Sequence, residues 1–181
     1  MARLSHPRWE GRAPWYAAER GWRDRHERTA ATLGGRFARL NSGPMLGAAS
    51  VIVDDHGRIL LVKHGYGERN WELPGGRGEV RESAEETARR EAREEVGLEL
   101  QIEHLTGVYW EPEIDAHHFV FRARSDGEAQ VHDRTEITEV GWFDPSELPR
   151  PVSDFTERRI GDAIGGASVR VHTIGPRVWR R

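Results

Sequence analysis

Residues Gly76–Leu98 read GRGEVRESAEETARREAREEVGL. Ser83 with Glu86 three residues later forms a capping-box pattern, and Gly97 is a stop signal, so the spacing predicts a helix over Ser83–Val96. Glu91, Glu94 and Glu95 then stand at i, i+3 and i+4 and project from one helical face. Like charges at that spacing repel, so a chain that keeps them together needs a compensating cation. Arg90 is adjacent, but one guanidinium cannot neutralise three carboxylates. An all-oxygen ligand set suits a hard divalent ion, Mg2+ or Mn2+ first. Taken alone, the EAREE segment reads equally well as a solvated charged helix with Glu–Arg pairs, such as Glu86 with Arg90.

The wider pattern decides between these readings. Gly76, Glu82, Arg90, Glu91, Glu94, Glu95, Gly97 and Leu98 stand in the register G-x5-E-x7-R-E-U-x-E-E-x-G-U, where U is a bulky aliphatic residue. This resembles the Nudix box of the Nudix hydrolases (MutT-like proteins). The departure is Ala92, where the family prefers a larger aliphatic. The lead-in Trp71-Glu72-Leu73-Pro74-Gly75-Gly76 also resembles the family's strand-to-loop entry. The resemblance covers roughly residues 44–148 and implies an α/β/α sandwich with a mixed sheet.

Working outward, Ala48–Val53 and Arg58–Lys63 are apolar, β-branched runs separated by Asp54-Asp55-His56-Gly57, which predicts a β-hairpin. Trp71–Leu73 reads as a short strand. Leu100–Trp110 and His118–Arg124 read as strands with a loop around Pro112. Val140–Phe143 is a further short strand, followed by a helical turn at Pro145–Leu148. Thr156–Ile164 reads as a helix and Val169–Ile174 as a strand. Upstream, Trp15, Trp22, Thr29 and Leu33 recur at helical spacing, which predicts an N-terminal helix over Ala13–Leu33. The expected organisation is an N-terminal helical extension (1–43), a central domain (44–150) and a C-terminal helix and tail packed on it (151–181). The apolar stripe of the extension needs covering, and a homodimer contact is one way to do so.

Composition narrows the function. The 181 residues carry a net charge of -3, which supplies no global basic field for nucleic acid. Cysteine is absent, which excludes disulfides, thiolate nucleophiles and Cys-ligated zinc. The N-terminus lacks the apolar core of a signal peptide, and no apolar run reaches membrane-spanning length, so a cytoplasmic protein without membrane partners is expected.

The family resemblance implies hydrolysis of a nucleoside diphosphate linked to another moiety. Glu91, Glu95 and Glu94 are the candidate metal ligands, with the Gly75 main-chain carbonyl added by similarity. Arg90 is the expected organiser of these carboxylates, and Glu82 braces the loop or joins the metal network. Glu136, six residues before Trp142, is the candidate general base or extra ligand, with Asp133 and Glu139 beside it in sequence. Trp71 and Trp110 are candidates for stacking on a base, as are Tyr109 and Trp142, with core packing as the competing role. His117 or His118 is a candidate substrate contact. The expected partner is a small nucleotide, either an ADP-ribose-type nucleotide sugar or an (oxidised) nucleoside triphosphate. Pro112, 15 residues after Gly97, tilts toward the former. An RNA 5'-pyrophosphohydrolase and a non-catalytic Nudix-fold nucleotide-binding regulator are the alternatives. The isomerase that shares this fold relies on a cysteine this chain lacks.

Overall fold

β1 (Met45–Ile52) is the strand around which the first sheet is assembled. It pairs in parallel with β6 (Ala116–Arg124) and antiparallel with β4 (Gly75–Arg77), and β5 (Gln101–Glu111) and β9 (Arg170–Thr173) extend this sheet in the order β4-β1-β6-β5-β9. A second mixed sheet has the order β10-β8-β3-β2-β7, built from β2 (Ile59–His64), β3 (Trp71–Glu72), β7 (Ile137–Phe143), β8 (Val152–Ser153) and β10 (Trp179–Arg180). These strands and two helices come from a computed structural model that describes residues 43–132, 134–166 and 168–181. The predicted helix at Ala13–Leu33, with its apolar stripe, and the candidate Asp133 lie outside the described residues.

The helices are α1 (Ala84–Val96) and α2 (Asp154–Ile164). Alternation along β1 explains why both are needed. Ala48 packs with Ala88 of α1, and Ile52 with Ala92 and Val96 of the same helix. Ala49, Val51 and Val53 share a cluster with Phe155, Ile160 and Ala163 of α2. A strand apolar on both faces has to be covered on both. Each fully buried aliphatic side chain contributes about 1.5–3 kcal/mol. The result is the α/β/α sandwich with mixed sheets. Ala92 is fully buried beside Leu60 and Val62, so the small residue at this position of the box serves as a core contact.

The predicted hairpin forms only at its turn. Asp54 Oδ1 accepts the His56 and Arg58 N–H groups at 2.9 and 2.8 Å, Gly57 adopts φ 77°, and one bridge joins Val53 to Ile59. Beyond it the strands part. A strand has two edges, and those of β1 are taken by β4 and β6. Ile59–Val62 is buried on both faces and joins the second sheet between β3 and β7. Pro145–Leu148 is a turn rather than a helical turn. Glu147 N–H reaches Asp144 O at 2.9 Å, and the Asp144 carboxylate takes the Ser146 N–H at 2.8 Å. β4, β8 and β10 have two or three residues each, too few to leave a periodic signal.

α1 ends as its sequence dictates. Ser83 Oγ accepts the Glu86 N–H at 3.2 Å while Glu86 Oε2 accepts the Ser83 N–H at 2.8 Å. Gly97 terminates the helix at φ 71°, where a Cβ is disfavoured.

Candidate active site

The site is built where β4 passes beneath α1. Gly75 and Gly76 pair with Ala49 and Ala48 of β1. A Cβ on Gly75 would stand 2.5 Å from the Ala48 carbonyl oxygen, and one on Gly76 would stand 2.5 Å from Glu91 Oε1. The two glycines therefore let the backbone approach the sheet on one side and the helix carboxylates on the other. The Gly75 N–H donates to Glu95 Oε2 at 3.0 Å.

Arg90 is the hub of the acidic face. Its Nε and Nη2 donate to the two oxygens of Glu82 at 2.8 and 3.1 Å. Nη1 donates to Glu91 Oε1 at 2.8 Å and to Glu94 Oε2 at 3.0 Å, and Nη2 also reaches the Arg77 carbonyl at 2.9 Å. Glu82 further accepts the Glu79 N–H and the Thr87 hydroxyl. The Arg90 bonds above all, against a burial cost and with help from these two donors, pull the Glu82 carboxyl down to about 2. Burial works against the Arg90 charge, but its bonds to Glu82, Glu91 and Glu94 hold it above the usual guanidinium value.

The three helix carboxylates are not equivalent. Glu95 is 7% exposed. Burial, then the charge of Glu91, with Glu136 and Glu72 adding, push it well above the carboxylate range despite the Gly75 N–H. Burial likewise pushes Glu91 to about 7, with Glu94 and Glu136 adding and Arg90 opposing. Glu94 is 58% exposed and, among the described residues, is tied only to Arg90. Among the described residues no three His, Asp or Glu side chains converge in a metal-holding group. The pair Glu91 and Glu95 nevertheless fits a hard divalent cation. Glu95, 7% exposed, and Glu91, half-buried and held by a single guanidinium, form an oxygen donor set that such an ion would stabilise.

Residues 43–162 match the NUDIX domain family. The chain belongs to the Nudix hydrolase family. It is 37% identical over 122 residues to a putative 8-oxo-dGTP diphosphatase of Bacillus subtilis (strain 168), covering 67% of this chain and 80% of the relative. It is 33% identical over 125 residues to a MutT-like protein of Streptomyces ambofaciens, covering 69% and 80%. Among solved structures, the MutT Nudix hydrolase of Burkholderia pseudomallei superimposes with a TM-score of 0.61 at 30% identity, over 67% of this chain and 98% of that one.

Around the Nudix box, the structure sorts the remaining candidates. Glu136 precedes β7. Its carbonyl accepts the Gly65 N–H at 2.8 Å, and its charge acts on both Glu91 and Glu95. Glu139 is paired with Lys63 at 2.7 Å. Trp71 is 7% exposed and meets Phe143 edge-on in the core. Tyr109 is fully buried, with its hydroxyl donating to Asp162 at 2.7 Å, and Trp142 packs on the cluster beneath α1. Trp110 is 40% exposed and stacks on His117 with centroids 6.5 Å apart, so it alone of these rings offers a broad free surface.

Two features went unread in the sequence. Tyr66 stacks on His64 at 5.0 Å and 10° in the loop that meets Glu136. Burial, then the charges of Glu136, Glu95, Glu72 and Glu91, keep its phenol protonated well beyond its ordinary value. Glu72 accepts the Thr156 hydroxyl at 2.9 Å and Arg159 Nη2 at 2.5 Å. Burial opposes its charge, but Arg159 and Arg177 hold the carboxyl below its usual value. A lone Glu inside the apolar Trp71–Leu73 run was the available signal for a buried ion pair. Its partners lie more than eighty residues away, where no local pattern reaches.

Among the described residues no helix is long and apolar enough to cross a membrane.

Proposed function

We propose that this Nudix hydrolase is a divalent-metal-dependent pyrophosphohydrolase that cleaves a nucleoside diphosphate linked to another moiety. The observation that carries this reading is the Glu91–Glu95 pair set over Gly75 and Gly76, Glu95 buried and Glu91 half-buried, with Arg90 fixing Glu91. Glu91 and Glu95 would hold Mg2+ or Mn2+, with Glu94 and the Gly75 carbonyl as further ligands by likeness to the family. When bound, such an ion acidifies water and offsets the charge of phosphate oxygens.

The protein's own groups do the rest. Arg90 holds Glu91 and Glu94 at a fixed spacing while Glu82 fixes Arg90 from the other side. Gly75 N–H holds Glu95 in one rotamer. Glu136 accepts the proton of the attacking water, a role its position beside Glu91 and Glu95 supports. Tyr66, protonated at every working pH, donates to a phosphate oxygen without adding charge. Trp110 offers its exposed face to a base.

The substrate is a small nucleotide, an (oxidised) nucleoside triphosphate or an ADP-ribose-type nucleotide sugar. The Bacillus subtilis relative supports the first and Pro112, in the tight β5–β6 turn, the second. The test is a panel of both substrate types with Mg2+ in 18O water, run on the wild type and Glu95→Gln. We expect label in a phosphoryl product and a rate at least ~10²-fold lower for Glu95→Gln. Full turnover by Glu95→Gln or in excess EDTA, or cleavage of a C–O bond, would refute it.

A further inference from the structure

The segment that leads to Glu136 is joined to the end of α1. The last carbonyls of a helix have no partner inside it. Here the Gln130 N–H donates to Val96 O at 3.1 Å and the His132 N–H to Glu95 O at 2.9 Å. Ala129 and Val131 alternate with these two residues and pack, partly buried, on the cluster beneath α1. The segment is therefore held by backbone bonds from one set of positions and by apolar contact from the other.

His132 adds a contact through its side chain. Gly97 ends α1 in the left-handed conformation, at φ 71°. A Cβ there would stand 2.5 Å from His132 Nε2 and 2.7 Å from its Cε1. The imidazole fills the space that a side chain at position 97 would take. The residue is otherwise exposed, so the core does not depend on it.

These contacts reach the chemistry through two residues. Glu95, a metal ligand in the reading above, accepts the His132 N–H on its carbonyl. Glu136 follows His132 by four residues, which limits their Cα separation to about 14 Å. The Glu136 carbonyl takes the Gly65 N–H at 2.8 Å, which ties the far end of the segment to the end of β2. Base and metal carboxylates are joined by one short stretch of backbone, anchored to α1 at His132. A single hydrogen bond at the surface is weak in water, so the ring over Gly97 decides how firmly that anchor holds.

The competing role is a cap that only stabilises α1. The helix is already closed without it, by the Gly97 N–H on Arg93 O at 3.0 Å and the Leu98 N–H on Ala92 O at 3.2 Å. What the ring supplies is a register between α1 and the segment that carries the base.

We infer that His132, packed over Gly97, is a positioning residue that holds Glu136 at a fixed distance from the metal-binding carboxylates of α1. A displacement of about 1 Å can cost about 10²-fold in rate, whereas substrate contacts made elsewhere are untouched. Loss of the ring falls on kcat rather than on KM. The inference rests on the proposed role of Glu136 and deepens it by naming what sets its place.

The test is a double-mutant cycle on the full chain with Mg2+ and the substrate panel, combining His132→Ala with Glu136→Gln. Glu136→Gln should lower kcat by at least ~10²-fold. His132→Ala should lower it by at least about tenfold, with KM and Mg2+ affinity within about twofold of wild type. In the Glu136→Gln background the same change should cost less than about twofold, because the base it positions is gone. His132→Phe keeps a flat ring over Gly97 and should stay within about threefold of the wild-type kcat. An equal loss in both backgrounds overturns the inference. So does His132→Ala at wild-type kcat, whatever its melting temperature, or with weakened Mg2+ binding, which would place the effect on Glu95. His132→Phe as slow as His132→Ala overturns the packing over Gly97. Glu136→Gln at wild-type kcat overturns the base assignment and the inference with it, and wild type inactive on the whole panel overturns the functional reading itself.

Discussion

Replacing Arg90 by Met isolates the network that organises the Nudix box. Arg90, together with the Glu79 N–H and the Thr87 hydroxyl, lowers Glu82 from 4.5 to about 2, a difference worth about 3 kcal/mol, of which the Arg90 share is about 2 once those donors and solvent screening are allowed for. The bonds to Glu91 and to the Arg77 carbonyl add about 1 kcal/mol each in net terms. The expected loss at pH 7 is therefore about 3–4 kcal/mol, within the range for breaking a largely buried ion pair. For a chain of this size that lowers Tm by about 6–16 °C. The sign with pH follows from the lowered carboxyl. Its contribution is complete above the ordinary value of 4.5 and is lost as pH falls toward 2. Near pH 3 less than half of the Glu82 part should remain. Urea melts of metal-free wild type and Arg90→Met at pH 7 and pH 3 measure both quantities. A loss below about 1 kcal/mol at pH 7, or the same loss at both pH values, refutes the view that Arg90 and Glu82 act as a charged pair.

Two further outcomes follow from the packing around Glu91. Gly76→Ala forces a methyl to 2.5 Å from the Glu91 carboxylate, the movable end of its side chain, so the carboxylate should be displaced and Mg2+ binding by calorimetry weakened while the fold is kept; an unchanged Mg2+ affinity would contradict the close approach. Glu91, raised to about 7, costs the metal-free fold progressively more as pH climbs from 4.5 through 7, so Glu91→Gln in EDTA should gain stability over wild type across that window, by up to about 3 kcal/mol; a gain that shrinks with rising pH would contradict the burial of its charge.

The local parts of the fold were legible in the chain. Ser83, Glu86 and Gly97 set both ends of α1 through backbone groups within a few residues, and the i, i+3, i+4 spacing put Glu91, Glu94 and Glu95 on one turn of it. The box pattern was dense enough to carry the family and the fold with it. Tertiary structure decided whatever depended on partners distant in the chain. The hairpin expected of β1 and β2 opened because β4 and β6 claimed both edges of β1. The three box carboxylates, alike in sequence, became unlike because sheet burial reaches Glu95 and Glu91 but leaves Glu94 in solvent. Glu72 met Arg159, and Glu111 met His118 and Arg177, across separations of 87, 7 and 66 residues. Helix caps and helical faces are short-range geometry that a sequence writes directly. Sheet edges, burial and long-range ion pairs exist only once remote strands have come together, and the substrate's surroundings are made of these.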